Sequence, residues 1–237
     1  MRGSSTGGER LSLADRTKLS NPDRARLEAR RRKPDARRAA VLEVARKAFL
    51  RDGYEEAQMV AMARTARVST ATLYALFADK SDLFRAMIMD LLHATEHRMA
   101  KQEEAVADRP MRERLTTFCV ALIRVMQEAE VRAMTRLLFS MHRKMPDMAE
   151  EYLRRGYMAA CARLMRYLAG LEKQGALRLP CLNTATGQLM ALLMQPTLTH
   201  GLWLGDEALH DQAAEAQAAD AIALIFCRYD PARAQPS

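Results

Sequence analysis

From Ala39 onward apolar residues recur at intervals of three and four. Ala39, Leu42, Ala45, Ala48 and Phe49 form one stripe, which predicts an amphipathic helix that begins near Asp35 and is stopped by Asp52-Gly53. The same period predicts a short helix over residues 59–66, with Met59, Met62, Ala63 and Ala66 on one face, and another over 70–77 with Leu73 and Phe77 inward. Ser69 is placed to cap the latter, because its hydroxyl can accept an orphan amide of the first turn, and Val68 before it supplies an apolar anchor. Asp79 repeats this signal for a fourth helix that runs from Lys80 past Met99 without a breaker, long enough to join two domains.

Beyond Asp108-Arg109-Pro110 the stripe Leu115, Phe118, Leu122 and Val125 predicts a fifth helix, followed by one over 131–143. A long helix is expected over 146–171, broken by Gly170 and Gly175, and two more over 184–204 and 206–229, separated at Gly205. Pro196 either kinks the first of that last pair or marks its boundary. The pattern is all-α, about nine helices, with no strand period and no internal repeat.

Composition agrees. Gly is scarce, aromatic residues make up only 5%, and Met and Ala are plentiful, which suits close-packed helices better than sheets. The net charge of +8 is uneven: residues 1–38 hold 12 Lys and Arg against 5 Asp and Glu, whereas residues 86–237 hold 18 against 18, so the excess is a basic N-terminal arm. Residues 1–35 have no sustained period and are expected to be disordered, either as a solvated leader or as an arm that adds contacts to a polyanion such as DNA. No stretch approaches the roughly 20 apolar residues of a membrane span, and no secretory signal is seen, so a cytoplasmic protein with no membrane partner is expected. Cys119, Cys161, Cys181 and Cys227 lie far apart and read as reduced core residues.

Two short helices joined through a few residues, braced by a first helix and followed by a long fourth, are what a helix-turn-helix requires. The segment Ser69-Thr70-Ala71-Thr72-Leu73-Tyr74 has the character of its reading helix: hydroxyls for phosphates or bases, a small Ala71 for close approach, and Tyr74 for a phosphate oxygen. In these landmarks the stretch from Ala39 to Ile88 resembles the DNA-binding domain of the TetR/AcrR family of bacterial transcriptional regulators. The matching positions are Leu42, Ala45, Phe49, Gly53-Tyr54, Met59, Ala63, Ala66, Val68-Ser69, Ala71 to Tyr74, Phe77, Lys80 and Leu83-Phe84.

The resemblance implies a three-helix DNA-binding domain over residues 36–85 and a helical domain for effector binding and dimerisation over 86–237. It implies that Thr70, Ala71 and Thr72 face the major groove while Ser69, Tyr74 and Lys80 mostly hold phosphates. Three positions depart from the family pattern: Ala57 for a capping Thr, Met62 for Ile, and Arg67 for the Gly of the turn. Gln58 is a substitute polar group at the second helix, and Arg67 is a candidate phosphate contact that would cost about 1 kcal/mol if its backbone is left-handed.

By analogy with the family, an apolar effector pocket is expected among Phe118, Leu122, Met126, Met134, Leu138, Met141, Tyr157, Cys161, Met165, Met190 and Met194. Such thioethers and rings adapt to bulky ligands, or are simply core. The dimer interface is expected on the last two helices at Leu189, Leu193, Leu202, Ala213, Ala216, Ala223 and Phe226, with internal packing as the other reading. His93 and His97 lack the His-Glu-x-x-His order of a metalloprotease, and no metal, cofactor or catalytic constellation is expected. The implied function is a homodimeric repressor released from a palindromic operator by a small apolar or amphipathic effector. A TetR-like activator and a non-specific nucleoid-associated DNA-binding protein are the alternatives.

Overall fold

The computed structural model of the chain describes residues 21–196 and 213–233, and what it describes is entirely helical apart from turns. In chain order the elements are α1 (Asn21–Glu56), α2 (Met59–Thr65), α3 (Thr70–Leu76), α4 (Lys80–Ala105), α5 (Met111–Gln127), α6 (Ala129–Met141) and α7 (Pro146–Leu153). A π-helical turn (Arg154–Met158) carries α7 without a break into α8 (Ala159–Lys173), and α9 (Leu182–Pro196), α10 (Ala214–Arg228) and a 3-10 turn (Pro231–Arg233) follow. With α7 and α8 counted as one run there are nine α-helices among the described residues. None of them is long and apolar enough to cross a membrane.

Helix α1 begins at Asn21, fourteen residues ahead of the expected start at Asp35, so the second half of the basic arm is helical. The start signal is local: Asn21-Pro22-Asp23 puts a proline in the first turn, where its missing amide costs nothing. Helix α1 bends at Gly53, whose φ of 78° and ψ of 173° interrupt the helical backbone where Asp52-Gly53 is expected to stop it. Gly170, in contrast, does not break α8. It lies inside the helix against Met111, whose Cε would stand 2.8 Å from a Cβ built there, and the helix ends only at Lys173, two residues before Gly175 with φ 72°. The described part of α9 stops at Pro196, so the expected continuation to residue 204 and the site at Leu202 lie outside the described residues.

Two apolar cores form. The body core gathers α5, α8, α9 and α10 around Leu115, Phe118, Ile123, Leu164, Leu168, Leu189 and Leu193. The other is the core of the N-terminal head, with Phe49, Met62, Leu73, Phe77, Leu83 and Phe84, but it does not end at the head. Met134 and Leu138 of α6 and Met148 of α7 belong to the same cluster, together with Leu91 and Leu92 of α4. Phe84 sits in an aromatic knot, 5.0 Å edge-on from Phe49 and 5.1 Å from Tyr54.

The cysteines divide in two. Cys119 is fully buried, and burial pushes its thiol up to about 12. Cys161 is half-buried against the body core, while Cys181, just ahead of α9, and Cys227 in α10 are exposed, which corrects their placement in the core.

Candidate DNA-reading head and interior cavity

Helices α2 and α3 form the helix-turn-helix, and the connection is built from backbone bonds. Ala66 N donates to Met62 O at 2.8 Å, Val68 N to Ala63 O at 3.0 Å, and Arg67 N to Arg64 O at 3.1 Å. Arg67 stands at φ 55°, left-handed, in the turn position where its family resemblance expects glycine. Arg67→Gly is therefore expected to stabilise the chain by about 1 kcal/mol, raising the melting temperature by roughly 2–4 °C. A thermal melt that shows no gain would mean the turn is held by contacts the arginine supplies.

Ser69 caps α3 as its spacing predicts. Thr72 N donates to Ser69 Oγ at 3.0 Å, and the Ser69 and Thr72 hydroxyls lie 2.8 Å apart. Leu73 is the fully buried side chain of α3 and pins it to the head core. Thr70, Ala71 and Tyr74 are exposed, as is Ser69, while Thr72 is half-buried. The segment therefore presents a small, hydroxyl-bearing outer face on a short, capped, rigid helix. Asp79 caps α4 through the Asp82 amide at 2.8 Å, and Asp82 answers by accepting from Ala78 N at 3.0 Å.

Two positions differ from expectation. Gln58 is exposed and stands at the N-cap of α2, but its side chain makes no cap bond, so α2 starts without one; Ala57 is buried and adds an apolar contact instead. Lys80 does not stand free for a phosphate: its ammonium donates to Glu55 O at 2.7 Å and lies 4.7 Å over the Tyr54 ring, which ties α4 to the end of α1.

Residues 41–87 match the bacterial regulatory proteins of the tetR family, and residues 113–231 match the C-terminal domain of AefR-like transcriptional repressors. The chain belongs to the TetR family. It is a TetR-family DNA-binding transcriptional regulator with an AefR-like C-terminal domain, and this is a family of regulators, not of enzymes. Solved TetR structures share its fold at low identity. A regulator assigned to the family from Mesorhizobium loti MAFF303099 is 19% identical with a TM-score of 0.71, covering 83% of this chain and 98% of its own. The flavonoid-responsive regulator FrrA is 23% identical with a TM-score of 0.66, covering 84% of this chain and 100% of its own. The fatty acid degradation regulator FadR from Bacillus halodurans is 16% identical with a TM-score of 0.62, covering 84% and 97%. No curated protein matches the chain.

In this TetR body a cavity of about 1070 Å³ lies between α4, α5, α6, the α7–α8 run and α9, at the upper end of small-molecule sites. Of the residues the family analogy assigns to a pocket, Phe118, Leu122, Met126, Leu138, Tyr157, Met190 and Met194 line it. Four do not. Met134 is buried in the core that the head shares with α6, Met141 is buried at the end of α6, Cys161 packs against the body core, and Met165 stands away from the lining. Helical period places each of these side chains inward without saying toward which space.

Several lining residues carry no such signal. Leu92, Thr95 and Glu96 come from α4, and Arg155 and Gly156 from the π turn, where the widened coil turns them toward the cavity together with the expected Tyr157. The sequence Arg-Arg-Gly-Tyr-Met gives no hint of that turn beyond its glycine. Arg155 grips Glu96 across the wall with three contacts of 2.9, 3.2 and 3.3 Å, and Arg163 pairs with Glu103 at 3.2 Å. Thr135 and Tyr152 share a hydroxyl contact of 3.0 Å, and burial raises the Tyr152 phenol above its ordinary range. His93, His97 and His142 are exposed and line the rim; among the described residues no three His, Cys, Asp or Glu side chains converge as a metal site.

Among the described residues three ion pairs run between head and body. Arg46 of α1 meets Glu130 of α6 at 2.8 Å, Lys144 after α6 meets Glu55, and Arg85 of α4 meets Asp147 of α7. The Arg85 hydrogen bond holds the Asp147 carboxyl below its usual range, and the Lys144 hydrogen bond does the same to Glu55. Both depressed groups favour the native state above the ordinary carboxylate range, and that contribution fades as pH falls through the lowered values.

The expected dimer positions divide by face. Leu189 and Leu193 are fully buried in the body core, so they are internal packing residues, a correction to their place at an interface. Ala213, Ala216 and Ala223 are exposed, and Phe226 is half-buried under the Arg112 guanidinium at 4.4 Å. The outward apolar residues of these helices are Leu192 and Leu224, beside Gln188, Ala191, Gln195 and Arg228.

Proposed function

We propose that the chain is a cytoplasmic homodimeric repressor that leaves a palindromic operator when a small, largely apolar effector enters the cavity between α4 and α9. One observation carries this reading: Leu91, Leu92 and Leu138 belong both to the cavity wall and to the core of the DNA-reading head. A ligand that moves these side chains moves residues against which the head is packed, and the three ion pairs give α1 and α4 a second attachment to the same helices. A shift of α4 against α6 by an ångström or so would re-aim α3. The fold shared with a flavonoid-responsive regulator is in keeping with an apolar effector.

In this reading Thr70, Ala71 and Thr72 read base edges, while Ser69, Tyr74, Gln58 and Arg67 hold phosphates. The test is fluorescence anisotropy with DNA from upstream of the protein's own gene against scrambled competitor, at stepped salt and with apolar ligands added. Binding that survives excess competitor and falls on ligand addition is expected. Loss to scrambled competitor at the same concentration would leave only phosphate-driven coating of DNA, and binding that no ligand alters would leave a constitutive regulator.

A single short reading helix contacts too few base pairs, so two copies must pair, and the outward face of α9 and α10 at Leu192 and Leu224 is the assigned seam. Changing both leucines to glutamate is expected to give a folded monomer in light scattering, with operator affinity lost along with the partner. A variant that remains dimeric would move the seam elsewhere.

A further inference from the structure

The wall of the cavity carries charge, yet that charge is already spent inside the protein. Arg155, half-buried in the π turn, is held by both carboxylate oxygens of Glu96, and Arg163 is held by Glu103. The Tyr152 hydroxyl is engaged by Thr135. Glu150 and the three histidines stand at exposed positions on the rim. Most of the remaining lining is aliphatic, aromatic or thioether. Against this, Thr95 of α4 is an exception: the residue lines the cavity, and its buried Oγ1 has no hydrogen-bond partner among the described residues. A helical threonine ordinarily returns its hydroxyl to the carbonyl four residues back, as Thr135 does to Val131 and Thr186 to Leu182. A buried hydroxyl left unpaired is costly, and a ligand group that meets it recovers that cost.

We infer that the cavity takes an uncharged, mainly apolar molecule with one hydroxyl or carbonyl group that pairs with Thr95, and that the Glu96–Arg155 pair excludes free carboxylates. This rests on the effector reading above and narrows it. A carboxylate entering this wall would have to take Arg155 from Glu96, leaving a second anion beside it. An ammonium would have to take Glu96 from Arg155 in the same way. A neutral ligand disturbs neither pair, and its apolar bulk gains what burial offers.

The test uses the full-length protein and the uncharged fluorescent probe N-phenyl-1-naphthylamine, displaced by dodecanol, dodecanoate or dodecyltrimethylammonium below their micellar concentrations. Dodecanol is expected to displace the probe at a concentration about ten-fold lower than either ion. Equal or better displacement by dodecanoate or by the ammonium, displacement by none of the three, or a probe that does not bind, would overturn the inference. Thr95→Val should weaken dodecanol about five-fold while Thr95→Ser keeps it, and a Val variant that binds dodecanol as the parent does removes Thr95 from the assignment. Glu96→Gln frees Arg155 and should strengthen dodecanoate about ten-fold; no gain would show that the pair is not what excludes anions. Promoter DNA in parallel samples separates the two levels: an alcohol that fills the cavity yet leaves DNA bound sinks the effector reading and leaves the cavity chemistry standing.

Discussion

Replacing Ala71 with glutamate is expected to lower affinity for promoter DNA about a hundred-fold or more while leaving the melting temperature unchanged. Ala71 is exposed in the first turn of α3, between Thr70 and the capped Thr72. An acid in a first helical turn is favourable to the helix itself, because it faces the unpaired amides and the positive end of the macrodipole. Folding therefore has no reason to suffer, and the side chain has open space. What changes is the outer face, which now carries a carboxylate toward a polyanion. Anisotropy titration at fixed salt reads the loss directly. If the variant binds its promoter as tightly as the parent, α3 is not the element that enters the groove.

Phe84→Ala is expected to cost about 3–5 kcal/mol, a fall of roughly 10 °C in melting temperature. Phe84 is fully buried and makes edge contacts with both Phe49 and Tyr54, so truncation opens a cavity at the centre of the head. The shape of the transition matters as much as its position. Since Met134, Leu138 and Met148 of the body complete the head's core, the loss should appear as a single transition moved to lower temperature. A calorimetric trace in which the head melts alone, ahead of an unchanged body, would contradict that shared packing.

Much of the head was legible in the sequence because its determinants are local. Ser69 and Asp79 announce their caps within three residues, Leu73 and Phe77 mark the buried side of α3, and the departure at Arg67 points to a strained turn that the backbone displays at φ 55°. The body was less legible, since a helical period tells which residues turn inward but not which of two interior spaces they reach. Met134 and Met190 look alike in sequence, yet one completes the head core and the other lines the cavity. Leu189, Leu192 and Leu193 are equally apolar, and only the packing of α9 against α8, α10 and α5 turns the first and third inward and leaves the second outside. The π turn and the Glu96–Arg155 pair join residues 59 positions apart, a relation no local pattern encodes. The start of α1 at Asn21 was not legible, because the basic stretch up to Asp35 has no apolar period and reads as disordered.

The core that crosses from head to body also sets terms for re-engineering. Consider a hybrid regulator that grafts the reading segment of one homologue onto the body of another, with the cut placed after the fourth helix begins. Here such a graft would leave Met134, Leu138 and Met148 facing a foreign surface. A workable hybrid of this chain has to carry over the inward faces of α6 and α7 along with the transplanted head, or redesign them to suit their new neighbour.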